Sequence, residues 1–222
     1  MIDLNRIKGV IFDCDGVLVD TERWHWQSWV EILKPFNIDL SKNEYFNYSG
    51  IREEIIEADL IKKHLINVKK GELEKKKKDL MKEWVKTKNI ILMPFAREAV
   101  QFFANKGLRM AVAGNAPRAE NILKLKSANL NSYFSMLVAG DDVKRGKPYP
   151  DIYLLGCERL ELKPEDCLAI EDAEYGLQAA KSAGLTCFVV PSEFSAKQDI
   201  SKADMVFKNL KELTEFYKQN SK

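Results

Sequence analysis

Several things are scarce in this sequence, and each scarcity narrows what the chain can be. No run approaches the roughly 18 consecutive apolar residues that a bilayer-spanning helix needs, so no membrane partner is expected. The first nine residues lack the apolar segment of a secretory leader, and the expected location is the cytoplasm. Neither sign of charge is in excess: 35 Lys and Arg stand against 33 Asp and Glu, a net charge of +2, which gives no pull toward nucleic acid. The four cysteines, Cys14, Cys157, Cys167 and Cys187, are scattered and form no CxxC. They read as reduced, mostly buried thiols rather than a disulfide framework. No protein partner is inferred.

What is present is a chain of 222 residues with 45% hydrophobic content, enough for one large α/β domain or a core with an insertion. The stretch Val10-Ile11-Phe12-Asp13-Cys14-Asp15-Gly16 organises the rest. An apolar run suited to a buried strand passes into two carboxylates spaced i, i+2 and then into a glycine that allows a sharp turn. Open parallel sheets bind their ligands at that edge. Taken alone, Asp13 and Asp15 would also serve an ordinary turn or helix cap.

From about residue 21 to 91 the pattern is helical. Trp26, Trp29, Val30 and Leu33 recur at i, i+3, i+4 and i+7, and further helical patterns include Ile55, Ile56, Leu60 and Ile61, then Leu73, Leu80, Met81 and Trp84. The lysines at 69, 70 and 75–78 read as a solvated helix face, with one of them a candidate to reach a substrate phosphate. Beyond residue 90, helices alternate with short apolar strands at 109–113, 136–139, 167–170 and 186–190, with a short edge strand near 205–207. The expected fold is α/β: a Rossmann-like parallel-sheet core of residues 1–20 and 92–222, interrupted by an all-helical cap of residues 21–91. The strands at 10–12, 109–113, 136–139 and 167–170 end in small or acidic residues, which would converge on one edge.

Asp13, Asp15, Glu171 and Asp172 would bring four carboxyl groups to that edge, too many to coexist without a cation. Hard oxygen ligands without clustered His or Cys point to Mg²⁺. Lys147, between Gly146 and Pro148, offers a fixed positive charge for a phosphate or a carboxylate. Together these residues favour phosphoryl transfer to a carboxylate.

These motifs, in this order, resemble the haloacid dehalogenase superfamily. Asp13-Cys14-Asp15-Gly16-Val17 is similar to its first motif, Gly146-Lys147-Pro148 to its lysine motif, and Ile170-Glu171-Asp172 to its acidic metal motif. The resemblance implies Asp13 as nucleophile and Mg²⁺ ligand, and Asp15 as general acid and base whose carbonyl also meets the metal. It implies Asp172 as a further ligand, Glu171 as its support, and Lys147 as the bridge between phosphate and Asp13. The helical insertion resembles the cap of the β-phosphoglucomutase-like subgroup, where a histidine matching His25 can reach the active site. Arg52 is a candidate clamp for a sugar phosphate.

Three positions depart from the pattern. Gly114 stands where a Ser or Thr usually holds the phosphate, leaving the amides of Gly114 and Asn115, or the Asn115 side chain, as donors. Phe95 replaces a glycine and Ala173 a serine, both read as packing changes. The expected function is a phosphatase for a small phosphorylated metabolite, with a sugar or polyol phosphate the expected substrate class. The alternatives are a phosphomutase and a non-catalytic binding protein. A dehalogenase is disfavoured because that branch lacks the second aspartate.

Overall fold

A computed structural model describes residues 2–221. Strand β1 (Gly9–Phe12) is buried at every position, which suits the middle of a parallel sheet covered on both faces. Its side chains alternate between layers, Val10 and Phe12 entering one apolar cluster and Ile11 the other. β2 (Arg109–Gly114) and β4 (Cys167–Glu171) flank it, with Gly9 level with Arg109 on one side and Cys167 on the other. β3 (Met136–Ala139) lies outside β2, while β5 (Thr186–Val189) and β6 (Met205–Val206) lie outside β4. The parallel order is β3-β2-β1-β4-β5-β6. Chain progression reverses between β1 and β4, so a crevice opens at their carboxyl ends.

Between β1 and β2 the chain is helical. It forms α1 (Glu22–Leu33), the short α2 (Lys42–Tyr45), α3 (Glu53–His64) and α4 (Glu72–Thr87). Trp29, Leu33, Leu40, Tyr45, Leu60 and Leu73 form an apolar cluster of their own. Glu57, buried beneath them, accepts the N–H groups of Gly71, Leu73 and Glu74 at 2.7, 2.8 and 3.2 Å. A carboxylate at the start of α4 satisfies amides that have no partner within the helix and complements its dipole.

The sheet is covered on the Phe12 side by α5 (Ala96–Asn105) and α9 (Leu210–Asn220), with α6 (Arg118–Ser127) between β2 and β3. α7 (Asp151–Arg159) and α8 (Glu174–Ser182) cover the Ile11 side. All four cysteines are free and buried, as expected. Phe95 corrects the sequence reading. It precedes α5 with φ 64°, so what a glycine supplies there is backbone freedom rather than space. Ala173 does behave as a packing residue, its Cβ 3.4 Å from where a Cβ on Gly50 would lie.

Two phenylalanines should therefore respond oppositely to truncation. Phe103 is fully buried and meets Phe12, Phe102 and Tyr217 at centroid distances of 5.9, 5.1 and 5.1 Å, so Phe103→Ala is expected to lose about 3–5 kcal/mol. Phe95→Gly is expected to be neutral or to gain up to about 1 kcal/mol, because the left-handed backbone costs a non-glycine residue about 1–2 kcal/mol. Urea unfolding measures both. A loss at Phe95 as large as at Phe103 would show that ring contacts govern that position.

Candidate active site

The Asp13 amide donates to the Ile170 carbonyl at 2.9 Å, fixing the exit of β1 against β4. Asp13, Glu171 and Asp172 are buried there with carboxylate oxygens within 4.8 Å of one another. Lys147 lies between two of them, its Nζ 2.5 Å from Asp13 Oδ1 and 2.6 Å from Glu171 Oε1. The Tyr153 hydroxyl also donates to Glu171. Gly16 is needed for this crowding: at φ 83°, a Cβ would sit 2.3 Å from Asp172 Oδ2.

The electrostatics follow from that geometry. Burial pushes Asp13 up to about 8 despite Lys147, and Glu171 adds to the rise. Burial and the neighbouring carboxylates Asp13, Glu22 and Glu171 push Asp172 well above the usual carboxylate range. Burial opposes the charge on Lys147, but Asp13 and Glu171 outweigh it and raise the ammonium above its ordinary value. Three clustered carboxylates, two of them paired with one ammonium, leave negative charge for a divalent cation, and a donor set of hard oxygens suits one.

Asp15 lies two residues from Asp13 in a different environment. Its Oδ1 accepts from Lys124 Nζ at 2.7 Å and from the Thr21 hydroxyl, with His25 Nε2 at 3.7 Å. Lys124, wholly buried on α6, also pairs with Glu120 at 2.6 Å. On its other side His25 places Nδ1 2.5 Å from Lys77 Nζ, and Lys77 in turn pairs with Glu53. Burial favours the neutral form of Asp15, yet Lys124 and His25 hold its carboxyl well below the usual range. Burial, Lys77 and Lys124 oppose a charge on His25, and Asp15 and Glu53 outweigh them, raising it to about 9.

A cavity of about 160 Å³ opens over both groups, with Asp13, Asp15 and Lys147 below and His25, Arg52 and Lys77 contributed by the helical insert. Arg52 is tied to Glu54 at 2.7 Å and donates to the Lys144 carbonyl at 3.3 Å. Both ends of the Asn115 amide are engaged by backbone: Oδ1 accepts the Lys147 N–H at 2.9 Å, and Nδ2 donates to the Gly50 carbonyl at 3.2 Å. At Gly114 a Cβ would come within 3.1 Å of both amide atoms of Asn121. Asn121 thus stands against the position a hydroxyl-bearing side chain would take. Its Nδ2 donates to the Ala116 carbonyl at 2.9 Å, while Oδ1 is buried without a partner among the described residues.

Sequence reading gave no site role to Thr21, Glu53, Asn121 and Lys124, and it placed Lys77 on a solvated face from which one lysine could reach a phosphate. Periodicity carried a signal for three of them. Asn121 and Lys124 occupy the stripe of α6 that also holds Leu125 and Ala128, and Lys77 the stripe of α4 between Leu73 and Met81. Polar residues on a buried stripe need a partner inside. Lys75, Lys76 and Lys78 are exposed, as the solvated-face reading expects, but Lys77 is 2% exposed.

The family model described as haloacid dehalogenase-like hydrolase matches residues 10–190. A phosphorylated carbohydrates phosphatase of Thermotoga maritima is 36% identical over 187 residues, covering 81% of this chain and 82% of that protein. A β-phosphoglucomutase of Bacillus subtilis is 32% identical over 214 residues, covering 94% of this chain and 92% of its own length. The crystal structure of CbbY from Rhodobacter sphaeroides in complex with phosphate superposes with a TM-score of 0.82 at 26% identity, over 93% of this chain and 96% of that one.

Protons and a cation compete for Asp13 and Asp172. A carboxyl raised from 3.8 to about 8 contributes stability at low pH that is lost as pH rises through the folded value, so a bound cation should restore most at the alkaline end. The increase in melting temperature caused by MgCl₂ is therefore expected to be larger at about pH 8 than at about pH 5. Equal increases at both would mean that Mg²⁺ does not bind at these carboxylates.

Proposed function

The chain belongs to the haloacid dehalogenase-like hydrolases and is a phosphatase of that family; from this premise we propose that it is a Mg²⁺-dependent phosphatase of sugar or polyol phosphates. The observation that carries this reading is Lys147 bridging Asp13 and Glu171 where β1 and β4 part, with Asp15 held separately two residues on. Residues 21–91 act in this reading as a cap over a core of residues 1–20 and 92–222. Asp13, Glu171 and Asp172, with the Asp15 carbonyl, would hold Mg²⁺, which supplies charge neutralisation at the phosphoryl oxygens.

An Asp13 carboxylate oxygen attacks phosphorus, and the bond from phosphorus to the leaving oxygen breaks with its electron pair passing to that oxygen. Asp15 gives the leaving oxygen a proton that it takes up as the substrate's negative charge offsets Lys124 and His25. Water then attacks the aspartyl-phosphate as Asp15 takes back a proton, and the phosphorus–Asp13 bond breaks to release inorganic phosphate. Lys147 holds Asp13 and balances the charge of the transferring group. Gly114 and Asn115 offer backbone amides to the phosphate, and His25 sets the orientation of Asp15. A mutase is the second reading, favoured by Arg52 in the cavity wall, where it could hold a second phosphate. Its pairing with Glu54 weighs against that role.

Phosphate release from a panel of sugar and polyol phosphates is expected to require Mg²⁺, and Asp13→Asn should abolish it. If β-glucose 1-phosphate is converted to glucose 6-phosphate with a bisphosphate primer while nothing is hydrolysed, the mutase reading replaces this one. If neither reaction occurs, the sugar and polyol phosphate reading falls. A hydrogen bond to a charged group is worth about 1.5–3 kcal/mol, roughly 10- to 100-fold in rate. Gly114→Ser is expected to gain a measurable part of that in kcat only with Asn121→Ala, which clears the space. An equal gain from Gly114→Ser alone would show that Asn121 gives way freely.

A further inference from the structure

The segment that follows β5 touches both the helical insert and the carboxylate cluster. Phe194 is 3% exposed and sits in the insert's own core, its ring centroid 6.3 Å from Trp26, 6.0 Å from Tyr45 and 5.9 Å from Phe46. Around it, Glu193 pairs with Lys42 of α2 and, at 3.7 Å, with Arg23 of α1. Gln198 Nε2 donates to the Phe46 and Ser49 carbonyls at 3.3 and 3.1 Å, while its Oε1 accepts the Glu174 N–H at 2.8 Å.

The next residue in the chain, Ser195, faces the other way. It is wholly buried, and its Oγ lies 3.3 Å from Asp172 Oδ2. The Ser192 N–H donates to the same Oγ at 2.9 Å, and the Ser192 hydroxyl lies 3.0 Å away. The Ser195 hydroxyl donates to Asp172, with the Ser192 carbonyl at 3.4 Å as a second acceptor, and the Ser192 side chain also hydrogen-bonds Asp172. Adjacent Cα atoms are about 3.8 Å apart, so a ring fixed in one domain and a hydroxyl bonded in the other have little slack between them.

We propose that Phe194, anchored in the helical insert, positions Ser195 and through it Asp172, so that the cation site is complete only while the insert is docked on the sheet. This inference rests on the reading of Asp172 as a cation ligand. Lifting the insert either draws Phe194 out of its apolar seat or carries the segment along and parts Ser195 from Asp172. Groups that hydrogen-bond a ligating carboxylate typically govern 10- to 100-fold in metal affinity, so the coupling is large enough to measure.

The test is Mn²⁺ binding to the full chain, followed by the electron paramagnetic resonance of the free ion, which needs no turnover. Phe194→Ala and Ser195→Ala are each expected to raise the Mn²⁺ Kd about 10-fold, although Phe194 touches no ligand. The double variant should be no worse than the weaker-binding single variant, because both break one connection. Phe194→Leu, which keeps apolar bulk, should bind nearly as the wild type does. If Phe194→Ala fails to fold, Gln198→Ala loosens the same segment without opening the core and is expected to raise Kd. A wild-type Kd in Phe194→Ala, or losses that add in full, would overturn the proposal. A wild type that binds no Mn²⁺ would overturn it together with the cation site. A wild type that binds Mn²⁺ but hydrolyses no phosphomonoester would remove the phosphatase reading and leave this inference standing.

Discussion

Three carboxylates buried close to one another, two of them hydrogen-bonded to one ammonium, are the constraint on which the rest of this structure depends. Removing such groups from water is costly unless each finds opposite charge or a donor. The fold answers by bringing Asp13 and Glu171-Asp172 to the same level at the ends of neighbouring strands and sending Lys147 between them. Other choices follow from that crowding. Gly16 must lack a side chain because Asp172 occupies the space, and the same holds for Gly176, where a Cβ would lie 2.0 Å from Glu171 Oε2. The lysine loop is held by Asn115, whose amide serves backbone groups.

Asp13 and Asp15 leave the same strand two residues apart and are driven in opposite directions. Burial, aided by Glu171, pushes Asp13 up against the pull of Lys147, while Asp15, also buried, is held down by Lys124 and His25. Without a cation a proton is thus favoured on Asp13 and a charge on Asp15, so a nucleophilic Asp13 requires a cation to displace its proton, and an acidic Asp15 requires an anionic substrate to offset Lys124 and His25. The row Glu120, Lys124, Asp15, His25, Lys77, Glu53 extends the same logic across the junction with the helical insert, with most neighbours opposite in charge. Deleting one member of such a row leaves a buried charge unpaired, at a cost of about 3–5 kcal/mol. The lysines at 77 and 124 are therefore structural commitments of the site.

Much of this was legible beforehand because it is written in local chemistry. An apolar strand ending in Asp-Cys-Asp-Gly, a lysine between glycine and proline, and a strand ending in Glu-Asp each announce a position at a sheet edge. Alternating strands and helices place those edges together. What escaped was everything defined by the approach of distant segments. Nothing near Lys124 in sequence shows that Asp15 lies against it, and Ser195 follows an aromatic residue in a stretch that reads as an ordinary loop. Phe95 escaped for another reason, since its departure from the usual glycine is a backbone effect that composition cannot reveal.

The two aspartates also differ in where their surroundings come from. The groups that act most on Asp13, namely Lys147, Glu171 and Asp15, belong to the sheet and its loops. Asp15 is surrounded from both sides, by Lys124 from α6 and by His25 from the helical insert. A displacement of the insert would leave the charges around Asp13 largely as they are and strip Asp15 of His25, along with the Lys77 and Glu53 pair that packs against it. Lys124, on α6, would still hold Asp15 Oδ1, so the carboxylate would stay charged while losing the contact that fixes its far side. The junction between sheet and insert is for this reason part of the site.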